Sequence, residues 1–313
     1  MGGRDDKEKW TRRAFASGIA VGGAGLAAAS VHVRERMMEQ GAQHSGRLPS
    51  LYIPHGGGPC FFMDWTMGPP DTWNRMSSWL RTVGKQFSGA RALLVVSAHW
   101  EERVVTVQSA EKPSLFFDYY GFPDHTYQLT WPAPGAPDVA TRVRELLTGA
   151  GIDSAEDRQR GFDHGTFIPM KVAFPGAEIP TLQLSLDTSL DPADHIRIGR
   201  ALTPLRDEGV LIIGSGMSFH NMQAMMRPGA ALDRSREFDS WLGDACTGEP
   251  ERRGELLTNW TRAPEGRYCH PREEHLLPLM VVAGAGANDQ GRKIFSDQVM
   301  GVKVSAFEFG GSA

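Results

Sequence analysis

The stretch LLVVSAHW, residues 93–100, decides the fold class, because a continuous apolar run ends there on a histidine. Similar runs occupy 51–53, 181–186 and 210–213. Runs that are apolar throughout, without alternation, are typical of strands covered on both faces of a sheet. We therefore predict buried strands at these three positions and at 92–97.

Amphipathic patterns separate these runs. In 72–87, 137–150 and 195–208, apolar side chains recur three or four positions apart, which predicts one buried face on a helix. Strands that alternate with helices predict an α/β fold with a central, largely parallel sheet flanked by helices on both faces. No linker interrupts 48–311, so we predict a single domain over 48–313.

The composition excludes several classes of protein. The chain has 313 residues, of which 41% are hydrophobic and 22% charged, as in ordinary globular proteins. Its formal net charge of −4 indicates no basic face for nucleic acid. The three cysteines, Cys60, Cys246 and Cys269, form neither a disulfide framework nor a CxxC zinc site.

The first 47 residues differ from the rest of the chain. Arg12 and Arg13 precede a weakly apolar run, rich in glycine and alanine, that ends near Ala29. This pattern resembles a twin-arginine (Tat) signal, so we expect a signal and linker over 1–47 and export to the periplasm by the Tat machinery. That route carries folded proteins, often with a cofactor already loaded. The alternative is an uncleaved leader that anchors the protein to a membrane.

Three histidines follow predicted strands. His55 follows the first apolar run, His99 the second and His220 the fourth. The carboxyl ends of parallel strands meet at one edge of a sheet, where ligands bind. Neutral imidazole is the commonest metal-binding side chain. Although a single histidine at a strand end is more often structural, the joint pattern predicts a metal site.

A fourth histidine, His275, lies in the segment HPREEHLLP, 270–278. The proline at 271 and the two glutamates are typical of a first helical turn, so we expect His275 one turn into a helix that Pro278 kinks. This segment can supply His275, or else Glu273 or Glu274, as a further ligand.

His164 lies in GFDHGTF, 161–167, which we expect to be a loop. A loop histidine between aspartate and glycine is a candidate acid–base group, and the alternative is a turn with an exposed imidazole. We expect His195 on the surface and leave open whether His125 lines a pocket. No P-loop or GxGxxG motif is present. The absence of a GxSxG elbow argues against a serine hydrolase.

Six motifs occur in one order along the chain: PHGGGP at 54–59, SAHW at 97–100, YQLTWPAPGAP at 127–137, FDHG at 162–165, SFHN at 218–221 and HPREEHLLP at 270–278. Together they resemble the DODA-type extradiol dioxygenases, a 4,5-DOPA dioxygenase-like family within the class III, LigB-like superfamily. The resemblance covers about residues 48–310.

This resemblance implies a mononuclear metal centre that uses Fe(II) to cleave an aromatic diol with O₂, although zinc can occupy the same site. It implies that His55, His99 and His275 are metal ligands, that His220 is a ligand or a catalytic neighbour, and that His164 is the acid–base group. The aromatic residues expected to wall the substrate ring are Phe61, Phe62, Trp100 and Tyr127. Two alternatives remain: a zinc-dependent hydrolase on the same scaffold, and a non-catalytic metal-binding relative.

Overall fold

A single eight-stranded sheet organises the chain in the computed structural model, which describes residues 46–227, 229 and 231–311. The strands are β1 Ser50–Pro54, β2 Ala92–Glu102, β3 Val105–Gln108, β4 Ser154–Asp157, β5 Thr181–Asp187, β6 Val210–Gly216, β7 Gly291–Val299 and β8 Val302–Phe309. Their order is β4-β3-β5-β2-β6-β1-β8-β7. All four predicted strands are confirmed, as β1, β2, β5 and β6.

The centre of the sheet is parallel and its margins are mixed. β2 pairs in parallel with both β5 and β6, and β6 pairs in parallel with β1. β8 is antiparallel to both β1 and β7, and β3 is antiparallel to β5. The largely parallel sheet is thus confirmed, with an antiparallel hairpin added at one edge.

Helices lie around this sheet. The helices are α1 Asn74–Gln86, α2 Pro137–Gly149, α3 His164–Ala173, α4 Pro192–Leu202, α5 Pro204–Asp207, α6 Met222–Met225, α7 Leu232–Thr247, α8 Pro250–Thr258, α9 Gly266–Cys269 and α10 Leu277–Ala285. Short 3₁₀ turns occupy Cys60–Phe62, Asp124–Gln128 and Trp260–Arg262. The helices predicted at 72–87 and 137–150 are confirmed as α1 and α2.

Strand β6 shows that helices cover both faces of the sheet. A side chain at Gly214 would meet the carbonyl oxygen of Pro278 in α10. The next residue, Ser215, donates a hydrogen bond to the carbonyl of Gly165 in α3. Because successive residues of a strand face opposite sides, α10 and α3 lie on opposite faces.

Two helical predictions need correction. The helix predicted over 195–208 begins earlier, at Pro192, where Asp191 caps its amino end, and it divides before Pro204. The helix predicted around His275 is wrong, because 271–276 form a turn and α10 begins only at Leu277. Pro278 therefore lies in a first helical turn, where its missing N–H costs no hydrogen bond, and does not kink the helix.

Only the last two positions of the predicted leader, residues 46 and 47, belong to the described residues. The rest of the leader, including its histidines His32 and His44, lies outside them. In the part of the chain that the structure describes, no helix is both long and apolar enough to cross a membrane.

Candidate functional site

The carboxyl ends of the central strands deliver histidines to one place. His55 directly follows β1, and His220 follows β6, which lies between β1 and β2. His99 lies within β2, since this strand continues to Glu102 and does not end before the histidine as predicted. His275 reaches the same edge from the turn before α10, and the carbonyl of His275 accepts a hydrogen bond from the N–H of Met217 just past β6.

His55, His99 and His275 form the tightest group. One ring nitrogen of each lies within 4.8 Å of those of the other two. The Nε2 atoms of His55 and His99 are 3.3 Å apart, and the ring of His275 lies 5.2 Å and 4.8 Å from their rings. His55 and His275 are almost fully buried, with exposed fractions of 2% and 3%.

In two of these histidines, an oxygen atom lies within hydrogen-bond distance of Nδ1, the ring nitrogen on the side away from the group. Nδ1 of His55 lies 2.9 Å from the carbonyl oxygen of Gly56, and Nδ1 of His275 lies 3.0 Å from Oε1 of Glu274. A proton on each Nδ1 leaves Nε2 with a free lone pair. Nε2 of His275 is buried and has no hydrogen-bond partner among the described residues. Such orphaned, convergent nitrogens fit a metal ion, whose histidine ligands are oriented in this way from behind.

The protonation state of the three rings suits metal binding. Desolvation by burial lowers the pKa of His55, His99 and His275 well below its ordinary value, and the neighbouring histidines lower it further. The rings are therefore neutral at physiological pH. Neutral imidazole is the form that binds a metal ion.

His164 is the first residue of α3 and is buried, so it belongs neither to a loop nor to an exposed turn. Asp118 holds it twice: one carboxylate oxygen accepts from Nδ1 at 2.8 Å and from the backbone N–H at 2.9 Å. The ring of His164 lies 3.9 Å from that of His99. Asp118 thus fixes the ring and directs Nε2 of His164 away from the carboxylate.

His220 lies beside the group of His55, His99 and His275 and stacks on one of its members. Its ring stacks on that of His275, with centroids 3.3 Å apart and planes 12° apart. Its Nδ1 is 3.4 Å from Oε1 of Glu274. In the described part of the chain, the side chains that could bind a metal ion together with His220 are Glu274 and His275, not His55 and His99.

Glu274 therefore lies between two imidazoles. Burial raises the pKa of Glu274, but hydrogen bonds from His220 and from the backbone bring that pKa below its ordinary value. The carboxylate is ionised at neutral pH and can accept from both Nδ1 atoms.

The five histidines open into a cavity of about 270 Å³. Its other lining residues are Gly56, Gly57, Gly58, Trp65, Met67, Trp73, Phe122, Met217, Met222, Met225, Met226 and Met300. The aromatic wall consists of Trp65, Trp73 and Phe122. The four aromatic residues expected there do not line the cavity; Trp100, for example, is buried and donates to Glu102 at 2.9 Å.

Two further histidines lie outside the cavity. His195 is fully buried, contrary to the prediction of a surface position, and it joins the carbonyl of Asp191 to the N–H of Asp187. His125 is exposed, with Nε2 3.0 Å from the carbonyl of Phe62.

Sequence reasoning missed Asp118 and the methionines. Asp118 is a lone acid within the aromatic stretch FFDYY, 116–120, and an acid in such apolar surroundings is itself a signal. The backbone of Phe116 bonds to that of Phe162 at 2.7 Å, which brings Asp118 beside His164. The methionines cluster in MSFHNMQAMM, 217–226.

Comparisons with known proteins agree with this geometry. Residues 51–307 match the family described as the catalytic LigB subunit of aromatic ring-opening dioxygenase. The dioxygenase tasH of Hapsidospora irregularis is 35% identical over 288 residues, which cover 85% of this chain and 87% of that protein. The 4,5-DOPA dioxygenase extradiol of Escherichia coli K12 is 34% identical over 244 residues, covering 77% and 86%.

A solved structure gives the same result. The crystal structure of an uncharacterized protein from Escherichia coli K12 superposes with a TM-score of 0.68 at 30% identity, covering 84% of this chain and all of that one. Because the family match spans most of the chain and includes every histidine of the cavity, the chain belongs to the LigB family of aromatic ring-opening dioxygenases.

Proposed function

We propose that this protein, as an extradiol ring-cleaving dioxygenase, opens a catechol ring with O₂ at a mononuclear Fe(II) ion bound by His55, His99 and His275. The observation that carries the metal assignment is the convergence of three neutral imidazoles, one with a buried and unpartnered Nε2. Zn(II) fits the same donor set, because imidazole suits both metals.

The bound metal would lower the pKa of a catechol hydroxyl and bring the diol next to O₂. The protein supplies the remaining chemistry. Trp65, Trp73 and Phe122 give the cavity an apolar wall against which an aromatic ring can pack. A site with an apolar lining strengthens the electrostatic interactions within it.

His164 is the proposed acid–base group. Because Asp118 accepts from Nδ1, the neutral ring carries its proton there and Nε2 is a free base. Nε2 can take the proton of a substrate hydroxyl and return it as the ring opens. Asp118 keeps this tautomer and stabilises the imidazolium that forms, as a carboxylate does behind a catalytic histidine.

We assign His220 the role of a catalytic neighbour rather than that of a primary ligand. Its ring stacks on the proposed ligand His275, and both share Glu274. His220 is therefore placed to orient His275 and to hold a second proton at the edge of the cavity.

The hydrolase alternative lacks support in the arrangement of acids. Zinc hydrolases of the HExxH type use a free carboxylate near the metal as their general base. Glu273 pairs with Arg267 at 2.5 Å, and Glu274 is engaged by His220 and His275. Against a non-catalytic relative, Asp118 orients His164 beside the group of three as a carboxylate orients a catalytic histidine, although His99, Asp118 and His164 also lie close enough to form a metal-binding group.

Oxygen uptake tests the proposal. We expect protein reconstituted anaerobically with Fe(II) to consume O₂ when catechols are added and to form a yellow ring-opened product. The matched control, the same protein loaded with Zn(II), should consume none. Absence of uptake with every catechol, together with ester or amide turnover by the zinc form, would favour the hydrolase.

We also propose that the Tat machinery exports the protein to the periplasm. The paired Arg12 and Arg13 before a weakly apolar run support this proposal, and they belong to the residues outside the described part of the structure.

A further inference from the structure

One wall of the cavity is built almost entirely from methionine. The methionines that line it are Met67, Met217, Met222, Met225, Met226 and Met300. Met67, Met222 and Met226 remain 45%, 51% and 56% exposed, so this wall extends to the mouth of the cavity. Unbranched, polarizable thioethers adapt to apolar groups of varied shape, and exposed apolar surface at a cavity marks a binding site.

As far as the structure describes it, the lining of the cavity carries no positively charged side chain that could pair with an anion. Among the described residues that line the cavity, none is lysine or arginine. Arg227 follows Met226 but its exposed side chain is not part of the lining. Arg160, behind His99, donates to Asp163 at 3.2 Å.

Arg272 is also paired with a carboxylate. Its guanidinium makes two hydrogen bonds of 2.6 Å to the carboxylate of Glu101. The acids nearest to the histidines are Asp118 and Glu274, which hold His164 and His275. A carboxylate on the substituent would therefore find no lysine or arginine in the described lining and would give up part of its hydration against the apolar wall, which is costly.

Resting on the function proposed above, we propose that the natural substrate is a catechol whose ring bears a neutral, apolar substituent, and that this substituent lies against the methionine wall. Burial of each methylene group there should raise kcat/KM about fourfold, the usual gain for one buried CH₂. A substituent that carries a carboxylate should be disfavoured.

A pair of substrates that differ in charge and by one methyl group tests this inference, since the methyl group alone would account for only about fourfold. We expect the Fe(II)-loaded enzyme to act on methyl 3-(3,4-dihydroxyphenyl)propanoate with a kcat/KM at least about tenfold above that of the free acid, because the acid must bury an unpaired charge. In the series 4-methyl-, 4-ethyl- and 4-propylcatechol, kcat/KM should rise with chain length. Equal or better turnover of the acid would overturn the inference.

A charge placed on the wall should reverse the preference. Met222 is half exposed, so Met222→Lys should fold and raise the ratio of acid to ester turnover by about tenfold, the effect of about one charge-assisted contact. Met222→Gln adds polarity without charge and should leave the ratio near that of the wild type. Gln86→Lys adds the same charge at the exposed end of α1, outside the lining, and should also leave it unchanged. An unchanged ratio in Met222→Lys, or an equal rise in Gln86→Lys, would overturn the assignment.

Binding without turnover gives an independent readout. Titration calorimetry of the Zn(II)-loaded protein should show the ester binding at least about tenfold more tightly than the acid. Unsubstituted catechol separates the two proposals. If catechol and all its derivatives fail to consume O₂, both proposals fall; if catechol is turned over and the acid is preferred, only the methionine-wall inference falls.

Discussion

The histidines of the site differ in the environment of their ring nitrogens, and that difference separates the proposed ligands from the proposed proton carrier. His55 and His275 direct Nε2 toward His99 while an oxygen atom holds Nδ1. Nδ1 of His164 is held by Asp118, and its ring lies against that of His99. The same residue type thus serves two purposes because its neighbours differ.

Removal of a proposed ligand should release the metal. We expect His55→Ala or His99→Ala to leave the protein without stoichiometric iron or zinc, because two imidazoles do not complete the donor set. Elemental analysis after loading and desalting measures the effect. His125→Ala, which removes an exposed histidine outside the cavity, should keep its metal. Retained stoichiometric metal in both ligand variants would refute the assignment.

Removal of the proposed base should separate turnover from metal binding. We expect His164→Ala to retain the metal and to lose kcat by about 10²–10⁴, the usual contribution of general acid–base catalysis. Asp118→Asn should also lower kcat, because the asparagine no longer fixes the tautomer of His164. Asp124→Asn, at an exposed acid nearby in sequence, is the matched control. Unchanged kcat in His164→Ala would exclude it as the proton carrier.

The strands predict the position of three of the five site histidines, whereas His164 and His275 are predicted from short motifs. His55, His99 and His220 follow or lie in continuous apolar runs, so the sheet brings them to one edge. Asp118 lies in a loop whose path depends on a single pairing with the segment before His164, and hydrophobic periodicity carries no information about that path.

At the scale of elements, the predicted strands contain continuous apolar runs that are buried, and the missed strands are short or have polar residues between the apolar ones. β7 alternates buried and accessible positions, and β3 and β4 have only four residues each. Met300 and Gly301 connect β7 to β8 with positive φ at both positions, as in a two-residue hairpin turn. Methionine is not a usual residue there, so the turn gave no clear signal.

The close approach of β6 to the turn before α10 fixes His275. A Cβ at Gly216 would overlap the carbonyl oxygen of His275. We expect Gly216→Ala to displace this turn, to destabilise the protein by about 1–3 kcal/mol as overpacking does, and to weaken metal binding.

The matched control for that substitution is Gly149→Ala, at the end of α2, where a Cβ meets no atom within 4 Å. It should leave stability and metal affinity at or above those of the wild type. Chemical denaturation and competitive metal titration measure both. Equal behaviour of the two variants would show that the contact does not position His275.

At the scale of the whole molecule, the predicted α/β architecture follows from four buried strands and the helices between them. The docking of the β7–β8 hairpin on β1 and the methionine wall depend on contacts between distant segments, which a single sequence does not reveal. Met67, Met217 and Met300, for example, reach the same cavity from three parts of the chain.

The proposed leader belongs to this scale because a Tat signal would decide where the folded protein acts. We expect the full chain to reach the periplasm of a bacterial host and the double substitution Arg12→Lys, Arg13→Lys to keep it in the cytoplasm. Arg34→Lys, outside the pair, should not change export. Cell fractionation measures the distribution, and equal export of all three proteins would contradict a twin-arginine signal.

The most direct test of extradiol cleavage at this site is the fate of isotopically labelled oxygen. The Fe(II)-loaded protein, supplied with a catechol under ¹⁸O₂, should yield a ring-opened product whose new carboxylate carries one labelled oxygen by mass spectrometry. A product without label, or uptake of O₂ that yields only quinone and hydrogen peroxide, would contradict the assignment of the site to ring cleavage.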